Sequence, residues 1–358
     1  MIMSRLEDKI RKIDPYVPGE QPKDRNIIKL NTNECPYPPS PALSKALSEL
    51  TPEDFRRYPD TDATMIVEAL SDLYGVNGYR IFVGVGSDDV LATAFQTFFV
   101  NFEWDEKLLF PDVTYSFYPV WADLYHIPVR VIPTDNDFRI LKDDYLDQPD
   151  AGGIIIPNPN APTGILEPLS FVEEIVEKNR DSVVIIDEAY IDFGGESAIR
   201  LTDKYENLLV VQTGSKSRAL AGLRVGWAIG SKTLIDAMKA VKFSINSYTM
   251  NSAAIALGAA AIRDEAYRKD ICAKIILARE RLSEGLKKLG FSFPESGTNF
   301  IFAKHNTISG DKIFRALKER GIYVRHWNAP RIEDYLRITV GTEEQVDRLL
   351  SALEEICG

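Results

Sequence analysis

An acid, a phenol, an amine and a guanidinium follow one another at short intervals in the middle of the sequence. Asp187 ends the apolar run VVIID, Tyr190 comes three residues later, and Lys216 lies 29 residues after the aspartate. Arg224 follows eight residues beyond the lysine. Each residue alone has an ordinary structural role, because acids cap helices and most lysines are solvated. Their order and spacing together indicate catalytic chemistry.

The chemistry that uses these four groups is electron-sink chemistry on pyridoxal phosphate. A lysine forms an imine with the cofactor aldehyde, and a buried carboxylate keeps the ring nitrogen protonated because the ion pair raises the pKa of that nitrogen. A hydroxyl donates to the ring 3-oxygen, while an arginine, small hydroxyls and helix N–H groups hold the phosphate. The sequence therefore predicts pyridoxal 5′-phosphate as the cofactor.

A glycine turn further upstream offers part of the phosphate site. GVGSDDVL, residues 84–91, begins like a dinucleotide fingerprint, but Asp89 stands where the third glycine belongs. A glycine turn that opens a helix fits better, because the free N–H groups of the first turn, with Ser87, hold a phosphate well. A helix start that is merely capped by Ser87 explains the motif equally well.

Composition and motifs argue against several other classes of site. The net charge of −11 is unlike that of a nucleic-acid-binding protein, whose domains carry basic faces. Lys216 follows a serine rather than the glycine pattern of a P-loop, which argues against a nucleotide hydrolase. The three histidines form neither an HExxH motif nor a cluster with cysteines, so no metal site is expected. A GxSxG elbow is absent, but a Ser–His–Asp triad stays open because triads are not local in sequence.

Short apolar runs that alternate with helical patterns predict the elements that position these groups. The runs at 152–160, 182–190 and 207–214 are rich in β-branched residues and end in polar residues or glycine. Such runs are typical of buried parallel strands in βα units, and function gathers at the carboxyl ends of these strands. The predicted fold class is therefore α/β, with a large domain built on a mostly parallel central sheet flanked by helices and a smaller α/β domain.

The sequence predicts three segments. Residues 1–45 form an N-terminal arm and part of the small domain, 46–255 form the large cofactor-binding domain, and 256–358 form the small C-terminal α/β domain. The first residues are charged and lack the apolar core of a secretory signal, and the three cysteines show no CxxC spacing. Because an uncharged apolar run of 18 residues is also absent, we expect a cytoplasmic protein that does not contact membranes.

The order of the motifs resembles that of the fold-type I, aspartate-aminotransferase-like pyridoxal-phosphate enzymes. The matching motifs cover nearly the whole chain and are LNTNECPYPPSP, RRYPD, GVGSDD, VTYSFY, NPNAPTG, DEAYIDF, TGSKSRALAGLRVGWAIG and LRITVGT. Within this superfamily the sequence most resembles the histidinol-phosphate aminotransferase family. The resemblance implies transfer of an amino group between L-histidinol phosphate and 2-oxoglutarate, which yields imidazole-acetol phosphate and L-glutamate, in histidine biosynthesis.

The resemblance also implies which residues hold the cofactor ring. Lys216 matches the lysine that bonds the cofactor and then shuttles the proton. Asp187 matches the partner of the ring nitrogen, Tyr190 matches the donor to the ring 3-oxygen, and Tyr115 matches the side chain that stacks on the ring.

The cofactor phosphate is assigned by the same resemblance. Backbone groups of Ser87 and Asp88 match part of the family's phosphate site. Thr213, Ser215 and Arg224 match the rest of it. We therefore expect these five residues to converge on one anion.

A partner subunit and a substrate site follow from the remaining motifs. Tyr58 of RRYPD matches a tyrosine that reaches the phosphate from the neighbouring subunit, which implies a homodimer with shared sites. Arg337 of LRITVGT matches the arginine that holds the anionic end of the substrate. Arg325 and Tyr16 match residues that help to hold the substrate phosphate.

The sequence departs from the family pattern at two places. The family usually has asparagine immediately before PTG, in contact with the ring 3-oxygen, but this sequence has Ala161 there. Either Asn160 replaces that contact from one residue earlier or Tyr190 serves alone. The segment HWNAPRIEDY also stands where a glycine-containing loop is more usual.

Other functions stay open on the sequence alone. An aromatic or broad-specificity aminotransferase would use a similar apolar pocket, and a phosphothreonine decarboxylase would share the cofactor. Arg325 beside Arg337 favours a doubly charged phosphate over a single carboxylate. A non-catalytic sensor of the cofactor is a further alternative, but such sensors carry a basic DNA-binding segment, which this sequence lacks.

Overall fold

The strands fall where short apolar runs end in polar residues or glycine. The computed structural model describes residues 6–24, 26–103 and 105–358. Within these ranges the strands are β1 (Ile28–Leu30), β2 (Ile81–Gly84), β3 (Lys107–Pro111), β4 (Val129–Ile132), β5 (Ala151–Pro157), β6 (Val183–Asp187), β7 (Leu208–Thr213), β8 (Gly226–Gly230), β9 (Phe291–Ser292), β10 (Phe300–His305), β11 (Ile322–His326) and β12 (Tyr335–Thr339).

The helices occupy the segments between the strands. They are α1 (Ala42–Glu49), α2 (Glu53–Arg56), α3 (Thr64–Tyr74), α4 (Ser87–Phe98), α5 (Phe117–Tyr125), α6 (Leu169–Lys178), α7 (Lys232–Ile245), α8 (Ser252–Arg263), α9 (Glu265–Lys288), α10 (Gly310–Glu319) and α11 (Glu343–Cys357). Short 3₁₀ helices lie at Glu7–Lys9, Gly78–Arg80, Lys142–Tyr145, Ile191–Phe193 and Ala198–Asp203.

Seven strands form a large sheet in the order β2-β8-β7-β6-β5-β3-β4. The strands from β7 to β4 are parallel to their neighbours, whereas β8 is antiparallel to both β7 and β2. The predicted α/β fold with a mostly parallel central sheet is therefore confirmed. Because β5, β6 and β7 are parallel, the residues that follow Pro157, Asp187 and Thr213 share one edge of the sheet.

Helices cover both faces of the large sheet. In β6, Val184 and Ile186 belong to the core cluster formed with α3, α6 and α8. Ile185 points the other way, into the cluster formed with α4, α5 and α7. Successive strand residues face opposite sides, so a strand that is covered on both faces must be apolar throughout. This explains why the middle of the sequence contains continuous apolar runs instead of alternating ones.

A smaller five-stranded sheet has the order β1-β11-β12-β10-β9. Its core cluster includes buried residues of α9, α10 and α11. β1 is parallel to β11, with Ile28 opposite Ile322, so the N-terminal arm is a strand of this sheet. No helix in the described part of the chain has the length and hydropathy needed to cross a bilayer.

The predicted division into three segments stays a prediction; the structure contains one seven-stranded and one five-stranded sheet. The predicted boundary at residue 255 falls inside α8. Buried residues of α8 on both sides of it, including Ala254 and Ile262, pack in the core of the large sheet. Residues 1–5 of the predicted arm lie outside the described residues.

Two glycines let β8 approach the beginning of α4. A Cβ on Gly226 would lie 2.3 Å from the carbonyl carbon of Gly86, so only glycine fits at this position of β8. Gly86 has a φ of 84°, which favours glycine, and a Cβ there would lie 2.4 Å from a guanidinium nitrogen of Arg224. The beginning of α4 and the arginine before β8 are thus held side by side.

Candidate active site

Two adjoining cavities lie at the carboxyl edge of the large sheet and share Lys216, Tyr190 and Tyr115 in their walls. The first cavity has a volume of about 550 Å³ and is also lined by Arg325 and Arg337. The second has a volume of about 440 Å³, and its walls contain most of the residues that the sequence assigns to the cofactor. These are Ser87, Asp88, Tyr115, Asp187, Tyr190, Thr213, Ser215, Lys216 and Arg224.

Asp187 ends β6 and lies in the wall of the second cavity. Its carboxylate accepts a hydrogen bond from the hydroxyl of Tyr118 at 2.8 Å and one from the backbone N–H of Ala189 at 3.3 Å. Burial raises the pKa of Asp187 to about 6, although the hydrogen bond from Tyr118 acts in the opposite direction. A cation beside this acid would offset the cost of burying its charge.

Lys216 lies in the loop after β7, where both cavities meet. Its Nζ donates to the backbone carbonyl of Thr32 at 3.2 Å and lies 5.8 Å from the centre of the Tyr190 ring. The residues after it are anchored elsewhere, because the hydroxyl of Ser217 donates to Asp192 and Arg218 donates to the carbonyl of Ala261 at 3.1 Å. The lysine amine therefore projects into the cleft from a fixed backbone.

Arg224, Ser215 and Thr213 form a cluster of donors beside the beginning of α4. Arg224 lies 3.4 Å from the hydroxyl of Ser215 and 3.1 Å from the carboxylate of Asp88. The hydroxyl of Thr213 donates to that of Ser215 at 3.0 Å. The first N–H groups of a helix have no partner within the helix, so α4, which begins at Ser87, adds donors to this cluster. The arrangement suits a phosphate group.

Tyr115 forms one side of both cavities. Its hydroxyl donates to the carboxylate of Asp88 at 2.8 Å, and burial raises its pKa well above the ordinary value. Its ring meets the rings of Tyr118 and Trp121 at steep angles, with centroids 5.7 and 6.3 Å apart. These contacts fix the plane of the Tyr115 ring at the cavity wall.

Asn160 does not lie in the wall of either cavity, unlike the other predicted ring ligands. Its side-chain nitrogen donates to the backbone carbonyl of Val113 at 2.8 Å, and the residue is buried. The methyl group of Ala161 lines the cavities in its place. The structure therefore gives no support to Asn160 as a replacement for the missing asparagine, and Tyr190 is left as the donor on this side.

The predicted substrate residues meet at the first cavity. Arg325 and Arg337 are register partners on the antiparallel strands β11 and β12. The centre of the Trp327 ring lies 5.2 Å from the guanidinium carbon of each arginine. Burial lowers the pKa of Arg337, whose Nε is buried without a hydrogen-bond partner in the described part of the chain. Tyr16 stacks on Phe117 with ring centroids 4.1 Å apart and lines both cavities.

Tyr58 is not part of the cleft of its own chain. It is 80% exposed and stacks on Tyr248, with ring centroids 4.3 Å apart. The predicted contact with a neighbouring subunit stays a prediction.

Three residues at the site were not identified from the sequence. Tyr118 lies in the quoted motif VTYSFY, but only Tyr115 was assigned a role there. Asn33 lies in LNTNECPYPPSP and donates to the hydroxyl of Tyr190 at 2.9 Å. Trp327 lies in the segment that departs from the family pattern. For Tyr118 and Asn33 the motifs are the available signal, because their partners are 69 and 157 positions away in sequence. No motif marks Trp327.

The residues present fit pyridoxal phosphate. The buried acid Asp187 faces the second cavity, an amine lies at the junction of the two cavities, and the donor cluster lies beside a helix N-terminus. The acid can pair with a protonated ring nitrogen, and the donor cluster can hold a phosphate. The ring of Tyr115 offers a stacking surface between these two ends.

Comparison with known proteins agrees with this chemistry. The model for aminotransferase class I and II matches residues 25–353. Histidinol-phosphate aminotransferase 1 of Hydrogenovibrio crunogenus is 52% identical over 347 residues, which cover 97% of this chain and 96% of that protein. The histidinol-phosphate aminotransferase of Brachyspira hyodysenteriae is 48% identical over 356 residues, which cover 99% of each chain.

Solved structures show the same fold. The histidinol-phosphate aminotransferase from Clostridium acetobutylicum superposes with a TM-score of 0.84 at 22% identity and covers 92% of this chain and 99% of its own. The one from Sinorhizobium meliloti, in complex with pyridoxal-5′-phosphate, gives a TM-score of 0.83 at 22% identity and covers 93% and 92%.

The fold and the cleft thus define a pyridoxal-phosphate-dependent aminotransferase of class I and II. The two relatives named above share about half of their residues with this chain over nearly its whole length, and both belong to one family within this class. The chain belongs to the histidinol-phosphate aminotransferase family.

Asp187 is expected to make the stability of the cofactor-free protein depend on pH. Its pKa is about 6 in the folded chain against 3.8 for the free side chain, so the folded state keeps a proton that the unfolded state has lost. Stability is therefore lost as the pH rises from about 4 to 6. The variant Asp187→Asn stays neutral, and we expect its free energy of unfolding to rise relative to the wild type by on the order of 3 kcal/mol across this window.

Urea unfolding at a series of pH values measures this difference. Asp54→Asn is the control, because hydrogen bonds from Thr51 lower the pKa of that exposed acid and its pH dependence has the opposite sign. A difference between Asp187→Asn and the wild type that stays constant from pH 4 to pH 7 would contradict the burial of an ionisable carboxylate.

Proposed function

We propose that the cleft binds pyridoxal 5′-phosphate and transfers an amino group between L-histidinol phosphate and 2-oxoglutarate. The observation that carries this proposal is the convergence of Lys216, Asp187, Tyr190 and Arg224 on one cavity, next to a second cavity with two paired arginines. The names of the relatives supply the particular substrate pair.

Lys216 supplies the amine of the site. The bound cofactor supplies a conjugated ring that accepts an electron pair from the carbon next to the substrate nitrogen. The Nζ of Lys216 would bond the cofactor aldehyde and would then serve as the base and acid that moves the substrate proton. A positioned proton transfer of this kind is worth roughly 10²–10⁴-fold in rate. The anchored residues after Lys216 keep Nζ on one face of the ring.

Asp187, Tyr190 and Tyr115 orient the ring. The Asp187 carboxylate pairs with the protonated ring nitrogen, which replaces a cost of burial by an ion pair. The hydroxyl of Tyr190 donates to the 3-oxygen, and the ring of Tyr115 packs on one face. The three contacts together restrict both the tilt and the rotation of the ring.

Arg224, Ser215 and Thr213 hold the cofactor phosphate with the N–H groups of Ser87 and Asp88. In the structure Arg224 lies 3.1 Å from the Asp88 carboxylate, and a bound phosphate would be a second anionic partner for its guanidinium. Charge-assisted bonds of this type are about twice as strong as neutral ones. The phosphate therefore fixes one end of the cofactor while Asp187 fixes the other.

Arg325 and Arg337 hold the anionic end of the substrate. As register partners on antiparallel strands, they point from the same face of the sheet, where like charges oppose each other. A dianionic phosphate relieves this repulsion better than a single carboxylate does. Both guanidinium groups lie within cation–π distance of the Trp327 ring, at 5.2 Å from its centre, and this contact helps to orient them. Tyr16 lines the same cavity and completes the phosphate site.

A homodimer with shared sites is part of the proposal. Tyr58 and Tyr248 stack on each other while both stay exposed, and Phe55, Phe243 and Ile245 are exposed near them in sequence. Exposed apolar side chains of this number are typical of an interaction surface. We infer that a second copy covers them and that Tyr58 reaches the phosphate of the partner's cofactor.

Lys216→Ala is expected to lose both the visible absorbance of the lysine-bound cofactor and nearly all turnover, because Lys216 is the lysine that both cavities share among the described residues. Absorbance spectra and an assay with histidinol phosphate and 2-oxoglutarate measure the two effects. Lys232→Ala is the control, since this exposed lysine pairs with Asp236 on α7, away from the cavities. Retention of either the absorbance or the turnover by Lys216→Ala would contradict its role.

Arg325→Gln is expected to raise the KM for histidinol phosphate by about 10- to 100-fold, because one charge-assisted bond to the phosphate is lost. The half-reaction with glutamate is an internal control and should change little, since glutamate carries no phosphate. Stopped-flow spectra of each half-reaction separate the two substrates. An equal loss with both substrates, or a wild-type preference for phenylalanine over histidinol phosphate, would refute the assignment of the phosphate site.

Co-expression of Lys216→Ala with Tyr58→Ala tests the shared site. In a mixed dimer, one site combines Lys216 of one chain with Tyr58 of the other and is intact. We expect the purified mixed dimer to recover about half of the wild-type activity, whereas each variant paired with itself stays impaired. Activity no higher than the mean of the two parent variants, or sedimentation as a monomer, would overturn the shared site.

A further inference from the structure

The side of the cofactor site that faces Tyr190 lacks one donor. Ala161 presents a methyl group at the position where the family pattern has an asparagine. The side-chain N–H of Asn160 donates to the backbone carbonyl of Val113 instead. The hydroxyl of Tyr190 is then the donor left for the ring 3-oxygen. A phenol has one proton, so the direction in which Tyr190 donates becomes decisive.

Asn33 sets that direction. This residue is buried, adopts a φ of 55°, and directs its side-chain nitrogen to the hydroxyl oxygen of Tyr190 at 2.9 Å. An amide N–H can only donate, so the Tyr190 oxygen is the acceptor in this bond. The Tyr190 proton therefore points away from Asn33, and Tyr190 lines both cavities on its free side.

The orientation of the Asn33 amide is fixed by Thr339. The hydroxyl of Thr339 accepts the backbone N–H of Asn33 at 3.0 Å and donates to the side-chain oxygen of Asn33 at 3.1 Å. The backbone carbonyl of Asn33 accepts from Asn299 at 3.0 Å. If the Asn33 amide were flipped, its NH₂ group would face the Thr339 hydroxyl in place of the oxygen. The Thr339 proton would then lose its acceptor, which is costly because all of these groups are buried. The nitrogen of Asn33 is thus held toward Tyr190.

We propose that Asn33 is a positioning residue that directs and strengthens the hydrogen bond from Tyr190 to the cofactor 3-oxygen, in place of the direct amide contact that Ala161 removes. A hydroxyl that accepts a hydrogen bond becomes a stronger donor, by about 10–30% per bond. The inference rests on the proposed cofactor site. It assigns to the N-terminal arm a part in tuning the cofactor that sequence motifs alone do not reveal.

The test is a pH titration of the visible absorbance of the substrate-free holoenzyme, which requires no turnover. A hydrogen bond to the 3-oxygen stabilises the negative charge of that oxygen. It therefore lowers the pKa of the nitrogen that would join Lys216 to the cofactor. Asn33→Ala is therefore expected to move the titration midpoint up by about 0.5–1 pH unit, the size of one net hydrogen bond. Thr339→Val, which releases the amide without adding charge, should move it in the same direction by less.

Three double variants distinguish an effect that acts through Tyr190 from a general loosening of the arm. In a Tyr190→Phe background, Asn33→Ala and Thr339→Val should cause no further shift, because the bond that they act on is absent. Ala161→Asn should restore the midpoint in the Asn33→Ala variant by supplying an amide directly. An undiminished shift in the Tyr190→Phe background, or no shift by either single variant, overturns the role of Asn33. A wild-type protein with no titrating visible band contradicts the proposed cofactor site instead.

Discussion

The buried carboxylate of Asp187 is the constraint on which the rest of the cleft depends. A parallel sheet with helices on both faces leaves little water at the end of β6, so the charged form of this acid is disfavoured. Tyr118 and the N–H of Ala189 supply hydrogen bonds, but neither brings a positive charge. A protonated ring nitrogen would bring one, so the burial that disfavours the free carboxylate would favour a cationic ring as its partner.

The reversed direction of β8 creates the other end of the site. Because β8 is antiparallel to β7, its first residue lies at the edge where the parallel strands end. Arg224 therefore lies beside the hydroxyls of Thr213 and Ser215. The arginine comes just before β8, whereas the two hydroxyls lie at the end of β7. The close approach of Gly226 to Gly86 brings the N-terminus of α4 to the same point. One exception to the parallel pattern thus gathers donors from three separate elements.

The sequence predicts the parts of the site whose signal is local. Asp187 directly follows an apolar run and Lys216 comes five residues after one, so both lie just beyond a strand end that is visible in the pattern of residues. Tyr118 and Asn33 carry no such signal, because their bonds join residues 69 and 157 positions apart. The role of Asn160 stays a prediction, and the motif gives no sign that its amide donates to the backbone carbonyl of Val113. Hydrogen-bond partners are set by packing, so residue type alone does not assign them.

The N-terminal arm links the small sheet to both cavities through three successive residues. The carbonyl of Asn31 accepts from Arg337 at 3.1 Å, and the carbonyl of Thr32 accepts from the Lys216 amine at 3.2 Å. Asn33 then donates to Tyr190. Because β1 immediately precedes them and pairs with β11, these three bonds join the small sheet to Arg337, to the amine of Lys216 and to the hydroxyl of Tyr190 at once. A shift of the arm would therefore act on the walls of both cavities together.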